Sequence, residues 1–107
     1  MAWYLVLWRR NLALWPTDPR ERAELMKKIG GTFVDGNIKK GKIKEHGHFL
    51  NGNSGYSIWE ADAIDVLKNM TMTMPYYEYE VHEFIPYEKS KAIVGSVFEI
   101  PAESAKK

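Results

Sequence analysis

The sequence predicts a two-layer α+β fold in which a four-stranded antiparallel sheet carries two helices on one face. Three observations predict it. Four segments, beginning at Trp3, Lys42, Gly55 and Pro75, read as strands from their composition and the turn residues that flank them. The middle two are joined through Asn51-Gly52-Asn53-Ser54, a hairpin turn by composition. Two helix starts, at Asp18-Pro19 and at Asp62-Ala63, then divide the chain into the order β-α-β-β-α-β.

The first strand, Trp3-Tyr4-Leu5-Val6-Leu7-Trp8, is apolar at every position, so both its faces must be covered and it belongs in the middle of a sheet. Arg9 and Arg10 end it, and residues 11–16 form a loop. Asp18 is an N-cap, Pro19 suits the first helical position, and Glu21 is placed to reach back in a capping box. In the helix that follows, Ala23, Met26, Ile29, Gly30, Phe33 and Asn37 fall on one side at about 100° per residue, a stripe suited to packing on a sheet. Gly30, Gly31 and Gly36 each cost about 1 kcal/mol relative to Ala, so the helix should stop or kink at the glycine pair, or run on to about Lys40 with Gly41 as its cap. The longer helix is the expectation.

In the hairpin, Lys42 to Leu50 pairs with Gly55 to Glu60. His46 and His48 then share a face with Ser57 and Trp59, while Ile43 and Phe49 share the other with Tyr56 and Ile58. The second face is the more apolar and is expected to lie under the helices. The second helix starts at Asp62, with Ala63, Val66, Leu67 and Met70 as its buried side, and gives way between Thr71 and Met74. Pro75 and Pro86 bracket the fourth strand, where Tyr77, Tyr79 and Val81 form one row and Glu78, Glu80 and His82 the other. Beyond Pro86 the chain has Ile93, Val94, Val97, Phe98 and Ile100 but also Gly95 and Pro101, which fits a helical turn or an extended arm.

This order of elements is that of a ferredoxin-like unit, over residues 1–88, with residues 89–107 as a C-terminal extension or arm. At 107 residues the chain forms one domain. A sheet with helices on one side leaves its second face bare, and here that face would carry half of the first strand as well as Trp59. That is more apolar surface than a monomer shows to water, so a homodimer is expected.

The segments Trp15-Pro16-Thr17-Asp18-Pro19, Gly41-Lys42-Ile43-Lys44-Glu45-His46-Gly47, Gly55-Tyr56 before Glu60, and Pro75 to His82 resemble a small family of uncharacterised prokaryotic proteins within the dimeric α/β-barrel superfamily. The resemblance runs from Trp3 to Pro86. It implies two ferredoxin-like sheets packed face to face as a dimeric α/β barrel. It implies no single activity, because that superfamily includes cofactor-independent mono-oxygenases, lactone isomerases, haem enzymes and non-catalytic ligand binders.

Composition removes several classes. The formal charge is +1, so no field draws in nucleic acid or an anionic membrane surface. Without cysteine there is no disulfide, thiolate nucleophile or Cys-based zinc site. The apolar run Ala2 to Trp8 is too short to span a bilayer and lacks the marks of a signal peptide, which makes a cytoplasmic protein the expectation. No phosphate-cradling glycine loop or nucleophile elbow occurs.

The candidate chemistry lies on strands. Glu78, Glu80 and His82 alternate on one face, so a carboxylate and an imidazole could act together on one ligand; the plainer reading is a row of solvated charges on an edge strand. His46 and His48 could join His82 and a glutamate in a metal site, but spacing alone does not establish one and no metal is assigned. His82-Glu83 begins like a zinc-protease motif, and Pro86 stands where its second His is needed. Haem is disfavoured because no His falls on either helix, and no cofactor is expected. Trp8, Tyr56, Trp59 and Met70, with Trp3, Met72 and Met74, could line a pocket for a flat aromatic ligand or could simply be core and interface. Lys39, Lys40, Lys42 and Lys44 read as a solvated helix end and edge strand.

Three functions follow as expectations. The first is a small dimeric protein that binds an apolar or aromatic small molecule between sheet and helices. His46, His48, Trp59, Tyr56, Trp8 and Met70 would contact the ligand, with His82 and Glu80 orienting its polar end. The second is a cofactor-independent mono-oxygenase or isomerase in which His82 or Glu80 removes a proton and a Tyr or His stabilises the anion. The third is a non-catalytic assembly module whose strand carboxylates pair with lysines of a partner.

Overall fold

Four strands, β1 (Ala2–Arg10), β2 (Ile43–His48), β3 (Ser54–Ala61) and β4 (Tyr77–Phe84), form one sheet in the order β2-β3-β1-β4. This computed structural model describes the backbone of residues 1–106 and the side chains of residues 1–96. All three strand pairs are antiparallel, and the all-apolar β1 lies between β3 and β4, as its sequence demands. Strand order and connections are consistent with a ferredoxin-like unit.

A short 3-10 turn at Leu12–Leu14 leads to a helical segment in three parts: α1 (Pro19–Lys27), a π-helical stretch (Lys28–Asp35) and α2 (Gly36–Lys39). Asp18 caps it by accepting from the N–H groups of Arg20 at 2.8 Å and Glu21 at 3.5 Å. The glycine pair does not stop this helix; it lies inside the wider π turns. Gly41, at φ 76°, takes the left-handed conformation that ends it, which a residue with a side chain rarely adopts.

Helix α3 (Ala63–Thr73) lies on the same face of the sheet as this segment. Tyr4, Val6, Ile43, Trp59, Ala61, Val66 and Met70 form the core, with Phe33 and Tyr79 packed against it. Asn37 ties the two helical segments together. Its Nδ2 donates to Phe33 O at 2.7 Å and to Asn69 Oδ1 at 3.1 Å, and Asn69 Nδ2 in turn donates to Asp65 O at 2.8 Å. Both side chains are buried and paired, as buried amides must be.

Several expectations are corrected. The helices cover the face of His46, His48, Ser57 and Trp59, whereas Tyr56, Ile58 and Phe49 lie on the open face. Trp59 is therefore in the core, 1% exposed, and adds nothing to the bare side. Ile43 is in that core too, because a bulge between Ile43 and Glu45 shifts the register and sets Ile43 opposite Trp59. On α3 the buried residues are Val66, Asn69, Met70 and Thr73, at helical spacing, while Ala63 and Leu67 face out. The C-terminal extension forms a helix, α4 (Tyr87–Lys106), with Tyr87, Ile93 and Val94 exposed. Val97, Phe98 and Ile100 lie outside the described side chains. Among the described residues, no helix is long and apolar enough to cross a membrane.

Candidate functional site

On the helix-covered face, strand register places His48, Gly55, Trp8 and Tyr79 in one cross-strand row and His46, Ser57, Val6 and Val81 in the next. Gly55 decides how the first row packs. A Cβ there would stand 2.4 Å from the Trp8 ring and 2.0 Å from Gly47 O, so only glycine lets the indole lie across β3. Trp8 thereby reaches β2: it stacks on His46 at 5.6 Å with the rings 7° apart, and meets His48 edge-on at 5.1 Å. Tyr77 closes on the other edge of the indole at 5.7 Å. This is an aromatic floor built from three strands.

His46 Nδ1 lies 2.6 Å from Ser57 Oγ, which fixes the ring and leaves Nε2 for other partners. Burial lowers the imidazole's pKa and the neighbouring His48 lowers it further, with Asp35 opposing both. The neutral ring, able to donate or accept according to tautomer, is thereby favoured. Tyr79 is pushed up to about 12, chiefly by burial and partly by Tyr77, against the hydrogen bond its hydroxyl shares with Thr73. It stays a phenol.

Above this floor the π-helical stretch forms a roof, and between them lies a cavity of about 310 Å³. Ile29, Gly30, Phe33 and Val34 come from the roof and Met26 from the adjoining end of α1, which together give most of the stripe expected from the sequence; Val6, Trp59 and Met70 form the inner wall. Ser57, His46, His48, Arg10 and Asp35 supply the polar groups. Apolar walls with a few convergent polar groups are what a small-molecule site requires. A second depression, of about 390 Å³, lies between the π stretch and α3, but Lys28, Lys40, Lys42 and Lys68 line it and Lys42 is paired with Asp65 at 2.7 Å. A third, of about 350 Å³, borders Glu78 and Glu80 on the open face.

The residues singled out from the sequence thus fall into two sets. His46, His48, Trp8, Trp59 and Met70 meet in the cavity. Glu78, Glu80 and His82 lie on the opposite face of the sheet, beside Arg9, Leu7 and Leu5. Tyr56 is on that face as well, donating to Glu45 Oε1 at 2.9 Å, a bond that raises its pKa. His82 and Glu80 do approach one another, at 3.5 Å between Nε2 and Oε2, with both side chains more than half exposed. The sheet separates them from the cavity. It also separates His82 from His46 and His48, and among the described residues no three His, Asp or Glu side chains are grouped to hold a metal ion.

Sequence reasoning passed over Arg10, Asp35 and the positioning role of Gly55. The signal for Gly55 was its place opposite Trp8, which only the register between distant strands reveals. No protein-family model matches the chain, and no curated protein is significantly similar to it.

Proposed function

We propose that this protein binds a flat, largely apolar small molecule in the cavity between its sheet and the π-helical roof. The cavity itself carries the reading. At about 310 Å³ it has roughly twice the volume of a void of ~150 Å³ that takes up benzene, enough for two fused rings. Its aromatic floor offers stacking, and the His46–Ser57 pair offers one oriented polar contact. Titration with 1-methylnaphthalene, followed by the probe's own fluorescence, is expected to saturate for the wild-type chain. Ile29→Phe, which fills space from the roof where Ile29 is only partly buried, is expected to weaken binding without unfolding the protein. Absence of saturable binding to the wild type, or binding untouched by Ile29→Phe, would overturn the proposal.

We further propose that the open face packs against the same face of a second copy, as in a dimeric barrel. Support comes from Trp3, Leu5, Leu7, Ile58 and Phe84, partly exposed on adjacent strands of that face, with Trp3 and Phe84 rings 6.1 Å apart. Leu5 sits at its centre, between Ile58 and His82. Light scattering is expected to give a dimer for the wild type and a monomer for Leu5→Lys. A wild-type monomer at working concentration would contradict this.

A further inference from the structure

Arg9 and Arg10 are chain neighbours on opposite faces of β1, and their surroundings differ in one respect that bears on the ligand. Arg9, exposed on the open face, is paired with Glu78. Arg10 points to the cavity side, is partly buried, and among the described residues has no carboxylate partner. Its contacts are a hydrogen bond from Nη1 to Gly52 O at 2.7 Å and the face of the Trp15 ring at 5.5 Å. Its Nε–H is buried with nothing to accept it. Three buried side-chain polar atoms lack a partner among the described residues, Trp3 Nε1, Trp8 Nε1 and Arg10 Nε, and two of the three belong to residues of the cavity wall. Both are donors, and a buried donor without an acceptor is costly. Asp35, the acid that also lines the cavity, is exposed and makes no ion pair with Arg10.

A guanidinium held by one carbonyl and an aromatic face, with no counter-ion and no second acceptor among the described residues, is a partner for a planar oxyanion. We infer that the cavity's ligand is an aromatic carboxylate, its ring system over the Trp8 floor and its carboxylate at Arg10. This rests on the cavity reading above and adds the chemical class of the ligand. The Arg10–Trp15 stack then positions the guanidinium, and the ligand supplies its counter-ion.

The test compares 1-naphthoate with 1-methylnaphthalene, which share a ring system and differ in the charged group. Naphthoate is ionised at neutral pH and better hydrated, so it binds more tightly only if the protein compensates its carboxylate. The expected result is about 10- to 100-fold tighter binding of naphthoate to the wild type, with Arg10→Gln bringing the ratio of the two affinities to near one and Arg10→Lys retaining part of it. Equal affinities, or a preference for methylnaphthalene, would overturn the carboxylate assignment and leave the cavity reading standing. Failure of both probes to bind would remove both. Because the wild-type ratio decides the matter, the inference remains testable even if Arg10→Gln does not fold.

Discussion

The two faces of the sheet draw on the same strands, and adjacent residues meet opposite fates on them. On the helix side, Trp59 is 1% exposed and His46 is pinned between a tryptophan and a serine. On the open side, Ile58 is partly exposed and His82 meets Glu80 in solvent. The difference teaches that residue type alone does not make a site. An exposed His–Glu pair is screened and free to rotate, whereas the half-buried His46 has its ring plane and one of its nitrogens set by neighbours. Side-chain geometry is therefore fixed on the covered face and loose on the open one.

Mutations that treat neighbouring positions alike should separate the faces most sharply. In the monomeric Leu5→Lys background, Trp59→Ala is expected to cost about 3–5 kcal/mol in chemical denaturation, and Ile58→Ala, one residue away on the open face, less than half as much. Equal losses would mean that the open face is as tightly packed as the core. An alkaline series probes the same contrast. Tyr79 keeps its proton up to about 12 in the folded chain against 10.0 for an ordinary tyrosine, so the stability it contributes is complete below pH 10 and is lost as pH rises toward 12. The difference amounts to about 3 kcal/mol, and Tyr79→Phe should abolish this part of the alkaline loss.

Gly55→Ala should cost about 1–3 kcal/mol, since the added methyl displaces Trp8 or opens the β2–β3 pair; near-ultraviolet circular dichroism would report the disturbed indole. A neutral result would show that Trp8 does not lie across β3 as described. The smallest effect is expected at mild acid. Because His46 has a lowered pKa in the folded state, the unfolded chain takes up its proton first, and stability declines as pH falls below about 6.5. His46→Gln should flatten that limb of the profile, and an unchanged acid limb would argue against a lowered pKa at this half-buried imidazole.

Much of this architecture was legible in the sequence because it rests on local rules. The Asp18 cap, the Gly41 stop and the stripe Met26-Ile29-Gly30-Phe33 follow from spacing along one helix, and the shared face of His46, His48, Ser57 and Trp59 follows from the two-residue period of strands. What was not legible depends on contacts between distant segments. The apolar residues of the hairpin pointed to Ile43, Phe49, Tyr56 and Ile58 as the covered side, yet the helices cover the other side, and the bulge after Ile43 brings that one residue into the core with it. For the same reason the pairing of Glu80 with His82 was foreseeable, while their separation from the other candidate residues was not. Arg10 looked like the end of a strand until the fold placed it against the cavity.

The central claim, that ligand binding belongs to the helix-covered face alone, is most directly tested by methyl NMR with 1-methylnaphthalene as the probe. Chemical-shift changes are expected at Val6, Met26, Ile29 and Met70, which line the cavity, and not at Leu5, Leu7 or Ile58 on the reverse of the same strands. Changes centred on Leu5, Leu7 and Ile58, or no changes at either set, would contradict it.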